Sequence, residues 1–307
     1  MLLFENTFGQ TPQAPDTLAA LKNEGAGKKP QAAERIGNGF LRIYFSENDS
    51  EAELTALGKT VERTKAFRKG KPADYFKKCE ALATYFGEEG EQALRHAVEG
   101  RLPTHTQEYA MHYATHYRVV DENVYRYRKI LDFLEPYAGK KIAVAIDGKC
   151  ASGKTTLARF LQKYFCADVL HTDDFYLPIA RRNLAEIGGN MDFVRLKQVI
   201  AAWKSGNATY APFDCKTQQY AAQRNLLQRN LLITEGVYSF FPQLAECFDL
   251  RILLTISEGL RVKRICAREK ENAERFLSLW ATREDEYFQA FAPEATADFL
   301  FDADCAD

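Results

Sequence analysis

The sequence predicts an α/β protein, a three-layer domain with helices on both faces of a parallel sheet, preceded by a mainly helical region. Three observations point there. After about residue 139, short β-rich runs alternate with helical patterns, and that order implies right-handed crossovers and a covered parallel sheet. The run Ala143-Val144-Ala145-Ile146 is apolar without alternation, as a strand buried on both faces should be. A glycine-rich turn and then an amphipathic pattern follow it directly, completing a strand–loop–helix unit.

Before residue 139 strand-like runs are rare. Residues 11–39 are rich in Gly, Pro, Ala, Gln and Lys and read as loop. The stretch 39–45 (GFLRIYF) reads as a lone strand. From 51 to 137 the pattern predicts several helices: 73–86 places Tyr75, Phe76, Cys79, Leu82 and Phe86 at helical spacing, and 121–134 repeats it with Val124, Tyr127, Ile130, Leu131 and Leu134. Gly100 and Pro103 mark a break, and YAGK at 137–140 reads as a helix end and short linker. Two domains follow, a helical region at 1–138 and an α/β domain at 139–307. In the second, strands are expected at 142–146, 169–171, 231–234, 251–255 and 299–301, with helices at 154–165, 193–203, 239–247, 258–269 and 273–291.

Bulk properties exclude several classes. With 41 basic and 42 acidic residues the net charge is −1, so no global field draws the chain to nucleic acid or an anionic membrane. The seven cysteines are odd in number, scattered and without a C-x-x-C pair, which speaks against a disulfide framework or thiolate zinc site. The start, Met1-Leu2-Leu3-Phe4-Glu5, is too soon charged for a signal peptide, and no apolar run approaches the ~20 residues of a membrane span. A cytoplasmic protein without membrane or nucleic-acid partners is expected, and a homo-oligomer is compatible with the sequence.

The glycine-rich turn is Gly148-Lys149-Cys150-Ala151-Ser152-Gly153-Lys154-Thr155, which matches G-x4-G-K-S/T and is followed by Thr156. Glycines at 148 and 153 allow backbone angles closed to other residues. Successive N–H groups at the positive end of the following helix form a nest for anions. Lys154 is placed to neutralise β- and γ-phosphate oxygens, and the Thr155 hydroxyl to hold Mg²⁺. The expected fold is therefore that of a P-loop NTPase, with ATP and Mg²⁺ as cofactors.

Two acidic signals follow. His171-Thr172-Asp173-Asp174 comes after the second strand, where ligands of open α/β sheets bind. A carboxylate there can take the proton of an attacking hydroxyl, or the pair can serve as a turn or cap. Leu231-Leu232-Ile233-Thr234-Glu235 is an apolar strand ending in an acid, with Glu235 placed to hold magnesium directly or through water.

Over about residues 139–304 these pieces resemble the uridine kinase and phosphoribulokinase superfamily of P-loop kinases, nearest a bacterial uridine-kinase-like group. The ordered set carries the resemblance: GKCASGKTT, HTDDFYLP, GGNMDF, YAPFDCKT, LLITEGVYSF, FDLRILLTISEGLRVKRICARE, and a last stretch from Trp280 through Tyr287-Phe288 to ADFLFD. The resemblance implies Asp173 as catalytic base, with Asp174 beside it in the acceptor site. It implies Asp192 as the acid holding ribose hydroxyls, Phe213 as the ring packing on a pyrimidine, and Tyr176 as an acceptor-pocket wall. Arg264 and Arg268 would steady charge on the transferred phosphoryl group. The sequence departs in two places: Phe193 and Val194 follow Asp192 where the family has a longer Asp/Pro-rich stretch, and Lys216-Thr217-Gln218 stands where the family carries a His. The lid also reads as short.

Residues 1–138 resemble no family. His112 and His116 are four apart, with His105 upstream, but no H-E-x-x-H is present and helix packing is the favoured reading. The basic run at 59–71 reads as a solvated helix face. Together these readings predict transfer of the γ-phosphate to a hydroxyl of a small molecule, first a nucleoside such as uridine or cytidine. The alternatives are a pantothenate- or sugar-like alcohol as acceptor, a nucleotide-driven switch, and a regulatory binding protein.

Overall fold

The computed structural model describes residues 1–10, 19, 21–22, 33–46, 48–99 and 116–304. The expectations for Gly100, Pro103, His105 and His112, and for most of the loop at 11–39, lie outside the described residues. The chain divides into two compact units, Met1–Arg128 and Lys129–Asp307.

In the first unit, helices α1 (Leu2–Phe8), α2 (Glu51–Phe67), α3 (Pro72–Phe86), α4 (Glu88–Val98) and α5 (Glu122–Arg126) accompany three strands. The strand expected at 39–45 is β2 (Phe40–Tyr44), and it is not alone. It pairs antiparallel with β1 (Ala33–Gly37) and with β3 (Tyr117–Asp121), the latter inside a stretch read as helical. Tyr117, Val119 and Val120 are fully buried there, so β-branched and aromatic packing decides the backbone. Buried Glu5 accepts from Arg42 and from the Tyr117 hydroxyl, each at 2.6 Å, which pins α1 to the sheet. A capping box between Ser50 and Glu53 starts α2. The basic run is not a uniform solvated face: Arg63 donates to the Arg128 carbonyl, and Arg68 lies over the Phe40 ring and pairs with buried Asp121.

In the second unit the sheet has five parallel strands in the order β12-β11-β4-β10-β5. They are β4 (Ile142–Gly148), β5 (Asp168–His171), β10 (Leu231–Glu235), β11 (Leu250–Thr255) and β12 (Phe299–Asp302). From central β4 the chain runs outward through α7 (Lys154–Phe165) to β5, returns to fill the gap as β10, and then crosses to β11 on the other side. The carboxyl end of β4 is thus a topological switch point, where open sheets bind ligands. Helix α6 (Arg128–Leu134) is mostly part of this unit: Phe133 packs on Phe299 of β12 at 5.1 Å, so the division falls ahead of the YAGK linker.

Helix α8 (Phe193–Lys204) covers one face, and its buried Trp203 donates to Asp168, which also accepts from the backbone of Leu227 and Arg229. Two pairs of short strands, β6 (Thr209–Tyr210) with β9 (Arg224–Asn225) and β7 (Phe213–Asp214) with β8 (Gln219–Tyr220), were not foreseen. The helix expected at 239–247 is a 3-10 turn at Pro242–Cys247, because Tyr238 sits at φ 71 and Pro242 carries no N–H. Helix α9 (Glu258–Glu269) is as expected. The helix expected at 273–291 is interrupted: α10 (Ala273–Phe276) passes into a π turn at Leu277–Ala281 before α11 (Thr282–Phe291).

Candidate active site

Residues 148–153 form a loop between β4 and α7 whose backbone is bent as an anion nest requires. Gly148 lies at φ 146, Ala151 at φ 62 and Gly153 at φ 97. A Cβ on Gly148 would meet the Leu254 carbonyl of β11 at 2.4 Å, so no other residue fits that turn. The first N–H groups of α7 have no carbonyl partner within the helix, as at any helix start, and are available to an anion there. Lys154, almost buried, spans the loop and donates to the carbonyls of Gly148 at 2.6 Å and Lys149 at 2.9 Å. Ser152 is buried with an Oγ that has no partner. A cradle of N–H groups, a cation and an unsatisfied hydroxyl fits a phosphate chain.

Beside the loop, Thr155 donates to Glu235 at 3.0 Å, and His171 Nδ1 meets the same carboxylate oxygen at 2.6 Å. A hydroxyl and a carboxylate are hard oxygen donors of the kind Mg²⁺ takes. Gly236 lets the chain leaving β10 pass close to the turn after β5, because a Cβ there would collide with the Thr172 hydroxyl. The pair with Glu235, more than Asp174 and Asp173, holds the His171 imidazole above its ordinary pKa against the effect of burial.

The 3-10 turn Thr172–Phe175 separates the two aspartates. Asp173 accepts from the Tyr176 hydroxyl at 3.2 Å. Desolvation, and next the Glu235 charge, push its carboxyl above the ordinary value, while Lys154, Tyr176 and His171 pull it down. Solvent still reaches Asp173. Asp174 turns elsewhere, accepting from Tyr210 at 2.9 Å and Arg224 at 3.1 Å. The structure therefore groups Lys154, Thr155, Asp173, Tyr176 and Glu235, and leaves Asp174 to fasten the segment carrying β6 and β9.

The remaining expected residues divide. Arg264 donates to the Ala151 carbonyl at 3.2 Å and so stands at the loop. Arg268 points away, paired with Glu269 and lying over Phe276. Asp192 caps α8 by accepting from the Arg195 N–H, and its second oxygen lies 3.5 Å from the Arg195 guanidinium. Phe213 is 4% exposed and packs edge-on against Tyr220, so its ring is a wall inside the fold more than an open platform. Trp280, in the π turn, lies 6.5 Å from Tyr176, and the Arg182 guanidinium lies over the Tyr176 ring at 5.5 Å.

Four neighbours, Asp147, Arg261, Glu284 and Asp285, were not singled out from sequence. Fully buried Asp147 accepts from the N–H of Gly148 and Phe240 and from the Tyr287 hydroxyl, and burial pushes its carboxyl up to about 6. Lys149 pairs with Asp285 at 2.6 Å instead of facing the nest. Arg261, Glu284 and Asp285 look like an ordinary charged helix surface in sequence, and only their convergence on the loop gives them meaning.

No family model matches this chain. A stretch of 147 residues is 29% identical to uridine-cytidine kinase C of Dictyostelium discoideum, covering 45% of this chain and 32% of that protein. The chain thus spans about a third of the length of that relative. Among solved structures, a possible uridine kinase from Bacillus stearothermophilus aligns over 57% of this chain and 98% of its own, with TM-score 0.44 and 23% identity. A putative fructose transport system kinase from a Silicibacter species aligns over 57% and 96%, with TM-score 0.40 and 21% identity. Shikimate kinase from Acinetobacter baumannii covers 54% and 86%, with TM-score 0.34 and 16% identity. Over those 147 residues the chain is similar to a uridine-cytidine kinase. Among the described residues, no helix is long and apolar enough to cross a membrane.

Proposed function

We propose that the second unit is a small-molecule kinase that moves the γ-phosphate of ATP to a hydroxyl, with a nucleoside such as uridine or cytidine as first candidate. The observation that carries this reading is Asp173, a carboxylate that accepts from Tyr176 and stands in one cluster with Lys154 and Glu235. A nucleotide switch needs the loop and at most a residue that orients a water, whereas transfer to an alcohol needs an acceptor for the hydroxyl proton. In this reading the nest and Lys154 hold the phosphate chain, and Thr155 and Glu235 would hold Mg²⁺. When bound, the metal supplies positive charge that screens the phosphate oxygens. Asp173 accepts the hydroxyl proton as the oxygen attacks, with Tyr176 orienting the carboxylate. Arg264 is the nearer of the two arginines to the charge that develops.

One observation favours a second acceptor class. With Phe213 buried and Asp192 engaged as a helix cap, neither base stacking nor ribose binding is laid out openly. Tyr176, flanked by Trp280 and Arg182, would suit a compact polar alcohol, sugar-like or pantothenate-like. A screen of nucleosides, sugars and pantothenate-like alcohols with ATP and Mg²⁺ tests both readings. The first expects turnover of uridine or cytidine. Turnover of a non-nucleoside alone would keep the kinase and reject the nucleoside. No product from any alcohol would reject the kinase.

A further inference from the structure

The phosphate loop is held by two acids of helix α11. Glu284, nearly buried, accepts from the Cys150 N–H at 2.8 Å, and the same oxygen accepts from Arg261 at 3.0 Å. Arg261 is fully buried on α9 and also donates to Asp285 at 2.9 Å, to Glu258 at 3.1 Å and to the Ala281 carbonyl at 3.2 Å. Asp285 in turn holds Lys149. Burial works to raise its carboxyl, but Lys149 and Arg261 outweigh that and keep it below its ordinary value. Two consecutive loop residues are therefore tied to two consecutive acids of one helix, one tie through the backbone and one through a side chain.

We propose that Glu284 is a positioning residue for the phosphate loop. It fixes the peptide of Cys150 from behind, and so aims the following N–H groups at the nucleotide phosphates. Three properties support this. A loop N–H left unpaired in a buried place is costly, so the geometry is strongly preferred with Glu284 present. The carboxylate would repel a phosphate if it shared the concave side, but buried Arg261 neutralises it where it stands. Ala151, the next residue, is held at φ 62, a conformation an alanine adopts only where its surroundings impose it.

The proposal rests on the loop being a nucleotide site, and the test separates the two. ATP with Mg²⁺ is titrated calorimetrically into the full chain and its variants, with a melting curve for each. Lys154→Ala should lose binding; if it binds as wild type does, the site itself is misassigned. Glu284→Asp keeps the charge beside Arg261 but draws the carboxylate back by about 1 Å, past hydrogen-bond range of Cys150. It should still fold, melting a few degrees lower because the Cys150 N–H loses its partner, and bind roughly tenfold more weakly or worse. Glu284→Gln keeps the reach and an accepting oxygen, and should stay within about threefold of wild type. Wild-type affinity in Glu284→Asp, with Lys154→Ala inactive in binding, overturns the proposal. So does an equal loss in both Glu284 variants, which would make charge and not position the agent. Should Glu284→Asp fail to fold, Asp285→Asn decides: Asp285 is 47% exposed, and cutting its tie to Lys149 should weaken binding, whereas unchanged affinity overturns the proposal.

Discussion

Asp173 and Asp174 are neighbours in sequence with opposite surroundings. Asp173 has one hydrogen bond to a tyrosine and faces Lys154 and Glu235, whereas Asp174 is occupied by Tyr210 and Arg224. Asp173→Asn should therefore slow the chemical step by roughly 10²–10⁴-fold, the usual worth of a general base, with nucleotide affinity almost unchanged. Asp174→Asn should cost less in rate and show itself as a looser β6–β9 segment. Single-turnover rates on both variants check this, and a slower Asp174 variant would reverse the roles. The base works deprotonated, and its carboxyl is raised. The rate should thus fall with decreasing pH at a higher pH than an ordinary aspartate would give, and this limb should vanish in Asp173→Asn. Sequence made the pair visible as a motif but could not show which member has its oxygens filled, since Tyr210 and Arg224 lie far along the chain.

Elements that position the site were legible where local pattern agrees with burial. The β4–loop–α7 unit and α9 stand where periodicity put them, because their apolar faces meet the sheet. Elements set by distant partners were not: β3 is a strand because Tyr117, Val119 and Val120 fill a core, and the short strands β6 to β9 depend on one another. The π turn before α11 likewise has no sequence signal, though it sets Trp280 toward Tyr176 and begins the helix that holds the loop. Helix α8 offers a test of double duty. Asp192 caps it, so Asp192→Ala should lower stability by about 0.5–2 kcal/mol, read by denaturant unfolding. If Asp192 also meets the acceptor, KM for the acceptor should rise while KM for ATP holds. A stability loss with both KM values unchanged would leave Asp192 a cap alone.

At the scale of the molecule, the switch point at β4 gathers donor and acceptor residues from three strand ends: the loop after β4, Asp173 after β5 and Glu235 on β10. Sequence order alone suggested this gathering, through the phosphate loop and the two acids. The brace from α9 and α11 was hidden, because Arg261, Glu284 and Asp285 are spaced like any solvated helix face and become one network only when the helices pack. The first unit has its own sheet and its own buried ion pair between Glu5 and Arg42, and carries none of the residues assigned to phosphoryl transfer. Transfer differs from nucleotide binding or hydrolysis in leaving the phosphoryl group on an alcohol. Phosphorus NMR of ATP and Mg²⁺ with the full chain and a hydroxyl acceptor taken from the screen separates these outcomes in one spectrum. A new phosphomonoester signal, growing in step with ADP and absent with Lys154→Ala, is the predicted result. ADP appearing only with inorganic phosphate, at a rate that Asp173→Asn leaves unchanged, would contradict it.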